Sequence, residues 1–359
     1  MSFSENAPPK PRLDEPNLDD KPLPQIEPPS AGFLLQLFVI PMIIVGIIVM
    51  VWLMFSWLAH MGSNPHELVR SFRSPNEASW QRALTLAELL RNPMHEDLKH
   101  DAQMVTELAA VLNSQLDQES FDENSIQLRK FLSAALGEFK VPEALPPILR
   151  AATLERDPTE IDVRRMAVSA LAVYAYNNRD ESLSEDEACM EALIAASRER
   201  SEIAEEREAR ADLRLRAAYA LGVIGGEAAL DRLLILLDDP SSNVRYNAAT
   251  GLCRHGDARA IPVLLEMLDP ENQESASNEE HESGRDWKRL QVINTGIRSA
   301  AQLAEYNSAG DLQPVRTALQ KIIDSELTSF GSRVRHGIRL NAKGSLLAMQ
   351  ATDRKVAAP

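Results

Sequence analysis

The chain has 359 residues, 44% hydrophobic and 25% charged, enough for one or two sizeable cores, so a mostly disordered polypeptide is excluded. Aromatic residues make up only 5%, while Ala and Leu recur throughout; strands draw on aromatic and β-branched side chains, so this balance predicts close-packed helices and excludes an all-β fold. The formal net charge of −15 opposes binding to a polyphosphate backbone, and nucleic acid is not an expected partner.

Residues 1–32 hold eight of the 21 prolines and carry three basic and six acidic side chains, net −3. This acidic, Pro-rich composition predicts an extended, disordered tail. Residues 33–58 carry no charge, with only Gln36 and Ser56 plainly polar. As a helix this run extends about 39 Å, enough to cross a bilayer with some tilt. A secretory signal has a short basic start, a brief apolar core and a small-residue cleavage site, none of which is present here. Pro41 and Gly46 suit a membrane helix better than a soluble one. The expectation is therefore a single-pass transmembrane helix over 33–58. Lys21 flanks it on one side, Arg70 and Arg73 on the other, a small bias that places the carboxyl-terminal part in the cytoplasm.

Residues 59–74 read as a linker. Beyond it, apolar residues fall three and four apart, broken by Gly, Pro, Asp or Asn, the punctuation of helices joined by short turns. Residues 80–90 with 104–112 are a candidate first hairpin. An internal repeat is clearest at an offset of 31 residues. Leu213 and Arg214 map onto Val244 and Arg245, Ala217 and Ala218 onto Ala248 and Ala249, Leu221 onto Leu252, and Gly225 onto Gly256. In the next helix Ala229, Leu230, Leu233, Leu234, Leu237 and Asp238 map onto Ala260, Ile261, Leu264, Leu265, Leu268 and Asp269. Leu213, Ala217, Ala220, Leu221 and Ile224 make one apolar stripe, and Leu230, Leu233, Leu234 and Leu237 make a second. Gly225 and Gly226 between them supply the conformations that reverse the chain into an antiparallel hairpin.

Weaker copies begin at Leu128-Arg129 and Val163-Arg164, so successive starts lie 35, 50 and 31 residues apart. The long step contains residues 187–210, whose mixed charges predict one lengthened solvated helix, with Ser184 and Glu187 in capping-box spacing. Residues 269–286 read as an acidic, mobile surface loop. A divergent hairpin over 287–305 and 312–323, a closing helix over 334–349 and a short tail over 353–359 complete the chain.

These residues resemble HEAT repeats, specifically the short type named after phycobilisome lyases, in which an apolar-Arg pair, paired Ala, Leu-Gly and a second helix ending in Asp recur. The strong match covers residues 213–270, and weaker copies extend it over residues 75–352. The resemblance implies an all-α fold, an α-solenoid of HEAT-like helical hairpins, which the single transmembrane helix expected over 33–58 precedes. It also implies a structural ladder of polar contacts between repeats involving Asp238 and Arg245. Gly226 stands where the motif often has Asp, and the uneven steps depart from a regular superhelix.

No catalytic, cofactor-binding or metal-ligating residue is assigned. His95, Glu96, His100 and Asp101 form the tightest group of possible ligands, but histidines five apart do not share a helix face. Cys189 and Cys253 are too few for a disulfide framework. Cys253 and His255 lack a third group to orient the imidazole, and Cys253 occupies the repeat position of Gly222, which suits packing. Gly222, Gly225 and Gly226 follow a helical stripe rather than a strand and precede no Gly-Lys-Ser/Thr, so they are turn glycines and not a nucleotide loop. The expected function is a membrane-anchored, non-enzymatic scaffold that binds a protein partner through the solenoid and the membrane through residues 33–58, with self-association as a further possibility. The alternative, implied by the lyase members of the repeat type, is an accessory protein acting on a cofactor-bearing partner.

Overall fold

The structure, a computed structural model, describes residues 31–61, 65–72, 76–179, 183–276, 279, 281–307 and 310–357. The expected tail over 1–32 falls outside these residues except for Ala31 and Gly32, which open the first helix. The chain divides into two units, Met1–Ser63 and Asn64–Pro359, and every regular element among the described residues is helical.

In the first unit, α1 (Ala31–Met61) is a single helix carrying Pro41 within it. Its stretch Leu35–Ser56, 22 residues, is long and apolar enough to cross a membrane by length and composition, and none of it is buried.

The second unit stacks helical hairpins in two layers. One layer holds α3 (Ser79–Arg91), α5 (Glu123–Gly137), α7 (Ile161–Asn177), α9 (Ala204–Ile224), α11 (Ser242–Arg254) and α13 (Glu282–Tyr306), each packed on the next. The other holds their return helices α4 (Ala102–Asp117), α6 (Leu145–Thr153), α8 (Glu187–Ala196), α10 (Glu227–Leu236), α12 (Ile261–Met267) and α14 (Gln313–Asp324). A last helix, α15 (Ser332–Ala357), closes the stack against α13 and α14. The apolar stripes meet in one continuous core from Leu68 to Met349. The side chains of Asp101, Asp122 and Asp186 accept hydrogen bonds from Met104, Ser125 and Cys189 N–H and so cap α4, α5 and α8. Gly225 and Gly226 take φ of 73° and 84° between α9 and α10, and Gly256 takes 73° between α11 and α12, a region open to glycine at little cost.

Several sequence expectations need correction. The segment 59–74 is not a plain linker: α1 runs to Met61, and a short helix α2 (Pro65–Ser71) buries Leu68 and Val69, with Phe72 behind it, against α3 and α4. Residues 187–210 are not one helix. Ser197 ends α8, its N–H bonded to Leu193 O and its hydroxyl to Ile194 O, while Arg232 donates to that hydroxyl at 2.6 Å. The extra length lies instead at the start of α9. Asp186, rather than Ser184, caps α8. The acidic segment 269–286 is pinned at both ends: Asn272 donates to Tyr246 Oη and Glu266 O, Ser275 and Ala276 are buried, and α13 already begins at Glu282. Its residues 277, 278 and 280 lie outside the described residues. Finally, α15 continues to Ala357, so helix occupies most of the expected tail over 353–359; residues 358 and 359 lie outside the described range.

Candidate functional site

The repeat places one arginine at the second position of each good copy: Arg129, Arg164, Arg214 and Arg245. These four guanidiniums lie inside the stack or at its edge and each finds a carboxylate. Arg129 is fully buried and donates to Glu160 at 2.6 Å. Glu160 also accepts from Arg156 at 2.6 Å. Arg164 joins Glu155 and Glu199, and Arg210 from the extended start of α9 reaches the same two carboxylates. Arg214 makes a two-pronged contact with Asp239 at 2.8 and 3.0 Å. Arg245 bonds Asp239 O and pairs with Glu266 and Glu274. Burial pushes the Glu155 and Glu160 carboxyls up, but the surrounding arginines outweigh it and hold both below the usual carboxylate range.

The polar ladder implied by the resemblance is present, but its acid differs. Asp239 takes the role expected of Asp238, because the turn after α10 points Asp239 back into the stack, where it also accepts from Ser241 N–H. This ladder ties the repeats together, and each of its carboxylates is engaged by an arginine.

The other sequence candidates disperse. Glu96 is engaged by Lys99 and Lys140, Asp101 caps α4, and among the described residues no group of three or more His, Cys, Asp and Glu is placed to hold a metal ion. Cys189 and Cys253 are buried thiols, and burial pushes both up to about 12; at neutral pH they are protonated and poor nucleophiles. His255 Nε2 lies 3.1 Å from Gly222 O, and its ring fills the space where a Cβ on Gly225 would stand. Gly222 meets Gly251 across the α9–α11 crossing so closely that a Cβ on either would lie within 2.8 Å of the other's Cα. These glycines serve turns and close packing.

One surface feature was not visible in the sequence. The outward faces of α9, α11 and α13 form a groove of about 460 Å³. Tyr219 and Arg254 stand at one end, Asn243, Asn247 and Thr250 on the middle helix, and Lys288, Gln291, Thr295 and Arg298 on the far side. A second trough of about 760 Å³ between α13 and α15 shares Gln291, Thr295 and Arg298 with it and adds Asn294, Leu340 and Asn341. Neither is lined by any Asp or Glu. Its constituents are scattered one per helical turn over four helices, so only the stacking brings them together.

A family model described as HEAT repeats matches residues 197–278. Solved structures similar to the chain include an engineered protein, 16% identical, covering 81% of this chain and 98% of its own, with a TM-score of 0.32. Escherichia coli YibA is 16% identical, with coverage of 80% and 97% and a TM-score of 0.30. Human deoxyhypusine hydroxylase in complex with glycerol is 18% identical, with coverage of 80% and 96% and a TM-score of 0.26. No curated protein matches the chain. Among the described residues the chain is an all-helical solenoid in which residues 197–278 match HEAT repeats, an architecture compatible with a protein-interaction scaffold.

Proposed function

We propose that the chain is a membrane-anchored, non-enzymatic scaffold: α1 crosses a bilayer once, and the repeat unit, on the cytoplasmic side, holds a protein partner there. The observation that carries this reading is the apolar stretch Leu35–Ser56, none of it buried among the described residues. At 1.5 Å per residue it extends about 33 Å, matched to a hydrocarbon core of about 30 Å. A helix so apolar and so exposed is costly in water and favourable in lipid. Tethering raises the effective concentration of a bound partner at the membrane. The thiols pushed up by burial and the ladder of occupied carboxylates support a binding rather than a chemical role.

Carbonate extraction tests the anchor. The full-length chain is expected in the membrane pellet, and its release into the supernatant would overturn the reading. Cross-linking in native membranes, followed by co-purification, tests the scaffold. A stoichiometric protein partner, lost when residues 33–58 are deleted, is expected; recovery of the chain only with itself would replace recruitment by self-association.

A further inference from the structure

We infer that the groove across α9, α11, α13 and α15 is a docking site for an extended, acidic peptide segment of a partner protein; this rests on the scaffold reading above and names its surface and the chemistry of its partner. The first observation is charge. The chain has 53 acidic against 38 basic side chains, yet no carboxylate lines either trough, while Arg254, Lys288 and Arg298 do. Elsewhere the arginines of the repeat register are consumed by ion pairs. Here, among the described residues, none of the three cations has a carboxylate partner: Arg254 donates to Gly222 O at 2.9 Å, and Arg298 only grazes Thr295 Oγ1 at 3.3 Å. Arg254 also lies over the Tyr219 ring, so it lends charge to the groove from its wall, while Arg298 is exposed and Lys288 half-buried with no ion pair; together they complement an anionic occupant.

The second observation is the amide lining. Asn243 and Asn247 stand one turn apart on α11, and Gln291 and Asn294 about one turn apart on α13. Asn247 donates to Asn243 O and Asn294 accepts from Asn341, but a primary amide has two N–H donors and an oxygen with two lone pairs, and the donors and acceptors that remain suit the alternating N–H and C=O groups of an extended main chain. A lone anion would be served by cations alone. Tyr219, nearly half exposed, and Leu340, 60% exposed, stand on α9 and α15 at opposite ends of the surface as contacts for apolar side chains. Crossing three gaps of about 9 Å between stacked helices takes about 27 Å, or about eight residues of extended chain. Three cations in a chain of net charge −15 favour a few carboxylates over a polyphosphate strand. The polar amides give no apolar face for a lipid surface.

Fluorescence anisotropy on the detergent-solubilised full-length chain tests this with three probes: a labelled peptide of about nine residues rich in Glu, Ser and Leu, the same peptide with Lys for Glu, and an oligothymidylate of similar length. The Glu peptide is expected to bind, to weaken with added salt, and to weaken about tenfold or more in Lys288→Glu/Arg298→Glu, whereas Lys288→Arg/Arg298→Lys retains it. Arg298 is exposed and Lys288 has no ion pair, so an unchanged helical circular dichroism melt is expected to show that the reversed variant folds. Binding of the Lys peptide as tightly, preference for oligothymidylate, insensitivity to the charge reversal, or no binding would each overturn the inference. Cross-linking separates the two readings. A partner captured equally by wild type and the charge-reversed chain removes the groove but keeps the scaffold. Failure of the wild type to capture any partner removes the scaffold itself.

Discussion

Arg129 has no exposed surface, and its guanidinium sits 2.6 Å from a Glu160 carboxylate that is itself buried. Removing one partner of such a pair strands the other charge away from water. Glu160→Gln is therefore expected to destabilise the repeat unit by about 3–5 kcal/mol, measured as a lowered urea midpoint. Arg129→Met/Glu160→Leu, which removes both charges, is expected to cost less. The same pairs set the acid limit. Glu155 and Glu160 titrate below their ordinary value, and hydrogen bonds from the Ser120 and Ser125 hydroxyls bring Asp122 down to about 2. A carboxylate depressed in the folded state contributes stability above its unfolded value, and that contribution is lost as pH falls through the folded value. The melting midpoint is thus expected to hold above about pH 5 and to fall steadily toward pH 2; a midpoint flat across that range would show that the ladder contributes nothing. The arginine register was legible in the sequence because it recurs with the helix pattern. The acids were not, since they lie 31 residues on for Arg129 and 25 for Arg214, at spacings that differ from repeat to repeat.

Neighbouring helices of the first layer cross through small residues. Gly137 meets the Ala170 backbone, and Gly222 meets Gly251. In repeat register the intervening crossing holds Ala172 and Ala220, both buried. A side chain at these points has no room: a Cβ on Gly251 would sit 2.8 Å from Gly222 Cα and 2.9 Å from Leu233 Cδ1. Gly251→Val is expected to wedge α9 from α11 and lower stability by about 1–3 kcal/mol. Gly337→Ala in α15, where nothing lies within 4 Å of the added carbon, is expected to leave stability unchanged or raise it by up to about 1 kcal/mol. Thermal melts of the two variants check this; equal midpoints would mean that the crossing tolerates separation. By its sequence Gly222 reads as a turn glycine, but it lies inside α9, and its contact with Gly251 joins different repeats and has no local signature. The start of α13 was missed for a related reason. Its first turn, Glu282 to Arg285, has no buried residue, so apolar spacing is silent there.

A solenoid shares its core between neighbours, so its ends need closure. α15 provides it, burying Ile338, Ala342 and Met349 against α13 and α14. Ending the chain after Asp324 uncovers the apolar faces carrying Ile297, Val315 and Leu319. The truncated protein is expected to melt at a lower temperature and to bind the apolar-surface dye ANS, and an unchanged melt without dye binding would show that α15 is dispensable. At this scale the separate unit containing α1 follows a different rule, since its apolar surface is uniform around the helix and is not arranged to meet a core.

By itself the sequence determined what is written at short range. Helical periodicity, the paired alanines, the turn glycines Gly225 and Gly256 and the uncharged run within α1 depend on neighbours three to seven residues away or on composition, and these specify an all-helical repeat with an apolar helix before it. Tertiary structure alone decided what depends on stacking: Asp239 rather than Asp238 in the ladder, the Gly222–Gly251 contact, the docking of α2, and the acid-free groove. Each joins residues from different helices at irregular chain separations, and the uneven repeat lengths erase the fixed offset from which such partners are otherwise read.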